Sequence, residues 1–177
     1  MNKPGRILAR TAALLMALFL AYGIGRLCAD EQILRSDYAR TALLQTGLPT
    51  DAASVYALHG EALGRDSFEQ TAFCIDHYDE AALFEAMKRT AGWRIADVSA
   101  QDYRRFAEAV MWTYQETLQL QDDTVFDAWY YREKAEPHNA PNVPDGPFEE
   151  IGQIGRGFIF AVYDEETGLF IYTEQFG

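Results

Sequence analysis

Ser99-Ala100-Gln101-Asp102-Tyr103-Arg104-Arg105-Phe106-Ala107-Glu108-Ala109-Val110, running on through Met111, Tyr114 and Leu118, is the stretch that decides the fold. Its apolar residues Tyr103, Phe106, Ala107, Val110, Met111, Tyr114 and Leu118 recur every three or four positions, the spacing that lines one side of an α-helix. Ser99 and Asp102 stand where a capping pair would start that helix, with Asp in place of the commoner Glu or Gln. The spacing predicts a helix over residues 100–118 that buries one stripe, and Arg104, Arg105, Glu108, Gln115 and Glu116 fall on its other sides.

Strands come after that helix. Residues 128–133 read as one, with Trp129 and Tyr131 on one face and Tyr130 on the other. Residues 158–163 and 169–174 read as a hairpin closed by Asp164-Glu165-Glu166-Thr167-Gly168, where Gly168 suits a positive-φ turn position. Between them Pro137, Pro141, Pro144 and Pro147 predict an irregular loop, because proline cannot donate to a sheet ladder.

Upstream, residues 54–59 and 67–76 read as a second hairpin with a long loop containing Gly60, Gly64 and Asp66. Asp79 then caps a helix in which Tyr78 staples Leu83; Lys88 and Arg89 occupy its last turn and Gly92 ends it. Trp93, Ile95 and Val98 continue as a short extended segment. The expected fold is α+β, a small, mostly antiparallel sheet with helices on one face, preceded by an N-terminal signal or anchor helix.

Lys3, Arg6 and Arg10 precede an uncharged stretch over residues 11–25, the layout of an export signal. As a helix it is about 22 Å long against a hydrocarbon core of roughly 30 Å, though Ile7, Leu8 and Ala9 extend it and Arg26 can reach an interface. Leu27-Cys28-Ala29 offers a cleavage point after Ala29, and both outcomes stay open: residues 7–27 anchor the chain in the cell membrane, or the protein is secreted. Either way the basic end stays in the cytoplasm and the rest lies outside. The expected organisation is 1–29 as signal or anchor, 30–50 as a helical stalk or first helix, and 51–177 as one domain.

Charge narrows the partners. The formal net charge of the 177 residues is −12, and the four charges before Asp30 are all basic, so the remainder carries −16. Such a surface repels phosphate backbones and anionic headgroups, which argues against nucleic acid as a partner. With only Cys28 and Cys74, a disulfide-stapled scaffold is excluded, and Cys74 between Phe73 and Ile75 is expected to be a small core residue.

No candidate chemistry outweighs its plain structural reading. In a hairpin turning near residue 63, His59 pairs opposite Ser67, which puts His77 about 33 Å away and precludes a metal shared between them. Asp79 is explained as a cap. His138 sits in the proline loop. None of Ser36, Ser54, Ser67 and Ser99 lies in a nucleophile elbow. The pairs Asp122-Asp123, Glu149-Glu150 and Glu165-Glu166 read as solvated turns, and Gly152, Gly155 and Gly157 precede a strand where a phosphate cradle needs a helix. The expectation is therefore no catalytic residue, no metal and no cofactor, with Trp129, Tyr130 and Tyr131 as the candidate binding feature.

The order of a His59-Gly60 strand, a second strand, Asp79-Glu80-Ala81-Ala82-Leu83-Phe84-Glu85-Ala86-Met87-Lys88, Gly92-Trp93, an aromatic strand and a closing Phe160-Ala161-Val162-Tyr163-Asp164 hairpin resembles a loose group of uncharacterised secreted or membrane-anchored proteins of Gram-positive bacteria. The resemblance spans most of residues 54–174 and implies no activity. Three functions are in view. The first is a non-enzymatic extracytoplasmic domain that binds a protein or envelope component through its sheet face and the proline loop. The second is an envelope hydrolase using His59 and nearby carboxylates. The third is an acidic accessory subunit that holds a basic partner.

Overall fold

The computed structural model describes residues 37–50, 56–61, 68–75, 80–110, 120–134, 143, 145–155 and 157–176, together with 15, 16 and 20; for 56–61, 68, 69 and 80 it describes the backbone alone. The chain divides into two units, Met1–Leu34 and Arg35–Gly177. In the first, Leu15, Met16 and Leu20 are helical and exposed, and the rest of the expected signal or anchor lies outside the described residues. Among those residues no helix is long and apolar enough to cross a membrane.

The second unit is α+β. A helix through residues 37–45 (α1) is followed by strands β1 (Tyr56–Glu61) and β2 (Phe68–Cys74), helix α2 (Glu80–Arg89), strand β3 (Trp93–Ser99), helix α3 (Ala100–Val110) and strand β4 (Val125–Glu133). A 3-10 turn at Glu149–Ile151 then leads to β5 (Phe158–Asp164) and β6 (Leu169–Gln175). The six strands form one sheet in the order β1-β2-β6-β5-β4-β3, and every neighbouring pair is antiparallel. The expected short segment after α2 is thus a full edge strand, bulged between Ile95 and Val98 where it leaves register with β4.

Helices cover both faces, which corrects the expectation of one. Every residue of β5 is buried, and strand alternation divides them between two cores. Ile159, Ala161 and Tyr163 join Leu83 and Met87 of α2 and Ala39, Ala42 and Leu43 of α1. Phe158, Phe160 and Val162 join Tyr103, Phe106, Ala107 and Val110 of α3, with Phe148 and Ile154 from the segment between β4 and β5. Phe106 lies 4.4 Å from Phe160 and 4.6 Å from Phe148, ring centre to ring centre. An antiparallel sheet with one wet face alternates apolar and polar; a strand buried on both sides is apolar throughout.

Local signals explain where the helices begin and end. Ser99 Oγ accepts from the Asp102 N–H at 3.1 Å and donates to Asp102 Oδ2 at 2.7 Å, so the capping pair forms. The apolar stripe buries Tyr103, Phe106, Ala107 and Val110 as expected, while the continuation over 111–119 lies outside the described residues. At the end of α1 the Leu48 N–H bonds the Leu43 carbonyl and the Gly47 N–H bonds that of Leu44, with Gly47 at φ 74°: a Schellman stop. Trp93 Nε1 then donates to the Thr46 carbonyl at 3.1 Å, fastening this stop to β3. α1 and its stop through Leu48 pack into the same core as the sheet, and the chain's second unit starts ahead of them at Arg35.

Candidate functional site

At the end of the sheet where β4 starts and the β5–β6 hairpin turns, an open groove of about 580 Å³ is lined by Gln121, Asp123, Thr124, Val125, Asp127, Asp164, Glu165, Glu166 and Thr167. Its walls are set by the local chain. The loop before β4 is drawn against α3: Arg104 pairs with Asp122 Oδ1 at 2.8 Å and donates to the Leu120 carbonyl at 2.6 Å, and the Ala100 N–H bonds the Thr124 carbonyl at 2.9 Å. Asp122 therefore turns to Arg104, leaving Asp123 at the groove. The β4–β5 ladder stops at Ala128 opposite Tyr163, so Asp127 and Asp164 sit one residue past its end.

Two of the five carboxylates are occupied in holding the turn. Asp164, 4% exposed, accepts from the Glu166 N–H at 2.9 Å, from the Thr167 N–H at 3.4 Å and from the Thr167 hydroxyl. Asp127 Oδ2 accepts from the Glu165 N–H at 2.7 Å. Gly168, at φ 68°, takes the left-handed position expected of it. Asp123, Glu165 and Glu166 stay exposed, and no described Lys or Arg pairs with Asp123, Asp127, Glu165 or Glu166.

The chemistry of such a lining is restricted. Among the described residues no three of His, Cys, Asp and Glu converge to hold one metal ion, and the groove contains no histidine, serine or cysteine to act as base or nucleophile. What it offers is a negative field from carboxylates on the loop before β4, on β4 and β5 themselves and on the β5–β6 turn, which attracts cationic groups.

The aromatic trio does not make a common surface. Trp129 and Tyr130 are buried on opposite faces of the sheet, against Phe148 and against Trp93 respectively. Tyr131 is half-buried and stacked on Phe158. Its hydroxyl donates to Glu133 Oε1 at 3.2 Å, and burial, reinforced by the Glu133 charge, pushes its pKa well above the ordinary tyrosine range. Trp129 and Tyr130 thus leave little of their rings to a partner, and Tyr131 is the one of the three with part of its surface open.

The remaining candidates are scattered. In β1, His59 pairs with Thr71, where a turn near residue 63 requires Ser67, so the register is shifted by four residues from the expected one; His77, His138, Asp76 and Asp79 lie outside the described residues. Cys74 is exposed, which corrects its expected place in the core: it shares a face with the buried Ala72, but as the last residue of β2 it stands at the strand end, where that face is open. Ser99 is engaged as a helix cap. Of the acidic pairs, Glu150 meets Arg94 at 3.2 Å, and only Asp123, Glu165 and Glu166 enter the groove. Asp127 is a groove residue absent from the sequence-based candidates, and Asp164 was explained there only as part of the hairpin turn. The available signal was a carboxylate, Asp127, inside the apolar run Val125-Phe126-Asp127-Ala128-Trp129. Comparison with protein-family models, curated proteins and solved structures found no match.

Proposed function

We propose that the chain is a non-enzymatic binding domain that acts outside the cytoplasm, released or held by its N-terminal segment, and takes a basic segment of a protein partner in the acidic groove. The observation that carries the reading is the set of groove carboxylates, Asp123, Asp127, Glu165 and Glu166, with no described Lys or Arg beside them. Spread charges favour a segment bearing several Lys or Arg side chains, because each cation meets its own carboxylate. Exposed pairs contribute only about 0.2–1 kcal/mol each, so such binding is weak, reversible and salt-sensitive unless further contacts join it. The location rests on the basic residues before the apolar stretch.

The test separates the groove from the overall charge. A fluorescent Lys/Arg-rich peptide is titrated against the full chain, against D123N/E165Q/E166Q, and against a control that loses three charges elsewhere, E108Q/D145N/E149Q. The groove variant is expected to weaken binding about tenfold, and the control two- to threefold at most. Equal losses in both variants would reduce the effect to net charge and end the proposal. A reporter active only in the cytoplasm, fused after Gly177, is expected to stay silent; a strong signal would reverse the orientation.

A further inference from the structure

We draw no further inference here: the strongest candidate, the exposed outer edge of β3 at residues 94–97, carries nothing because the bulge between Ile95 and Val98 interrupts its ladder, Arg94 is already drawn to Glu150, and nothing in the structure shows what covers it.

Discussion

Gly92 shows how one backbone position ties the end of a helix to the sheet. Its φ of 97° is strained for any residue with a Cβ, and a Cβ built there would lie 2.6 Å from Cε2 of the buried Tyr130. Gly92→Ala therefore combines a dihedral penalty of about 1–3 kcal/mol with displacement of a packed ring. A drop of about 2 kcal/mol or more in urea unfolding is expected, and a loss under 0.5 kcal/mol would mean that α2 and β3 relax freely around the turn. Tyr131 makes a different kind of claim. Its folded-state pKa lies above the ordinary 10.0, so the unfolded chain releases this proton first as pH rises. The contribution is whole below pH 10 and is lost above it, as the pH climbs toward the folded value. Tyr131→Phe should flatten the fall in stability between pH 10 and 11, and a slope identical to the parent's would show that Tyr131 ionises as freely folded as unfolded.

At the scale of elements, α3 was legible because a periodic stripe, a capping pair and flanking strands all agree. The β5–β6 hairpin was legible for similar reasons, its turn residues matching its strands. The covering of both faces was legible too, in a signal easily missed: Phe158-Ile159-Phe160-Ala161-Val162-Tyr163 has no polar residue for a wet face. The register of β1 and β2 was not legible, because a loop of six residues between Glu61 and Phe68 sets no turn geometry that fixes pairing. The groove was hidden for another reason. It joins Asp123, Asp127 and the 164–167 turn, and their approach depends on β4 lying beside β5, which no local pattern encodes. The two-sided core predicts the mutational response. Phe106→Ala should cost about 3–5 kcal/mol, Leu83→Ala about 2–5 kcal/mol, and exposed Glu108→Ala no more than roughly 0.5 kcal/mol. A Leu83→Ala loss as small as that of Glu108→Ala would detach α2 from the core and leave α1 alone to cover that face of the sheet.

The whole molecule sets its stability against its charge. Two apolar layers, one under α1 and α2 and one under α3, share the strand β5 at their centre, while the chain carries a net charge of −12. Part of that charge collects at the sheet end where Asp123, Asp127, Asp164, Glu165 and Glu166 face one space. Asp127 and Asp164 are compensated by the turn's hydrogen bonds, so substituting them would damage the fold. Asp123, Glu165 and Glu166 have no such structural use and repel their neighbours in the free protein. If the groove is kept acidic for a partner, removing these three charges should weaken peptide binding and stabilise the unbound domain, by a few tenths of a kcal/mol for each charge at low salt. Screening should shrink that gain, so D123N/E165Q/E166Q and parent should converge in urea midpoint as salt rises from about 0.05 M, where the screening length is near 14 Å, to about 1 M, where it is near 3 Å. A variant less stable than the parent at low salt would mean that the three carboxylates support the loops, and the groove would then be a feature of the fold with no binding role to explain its charge.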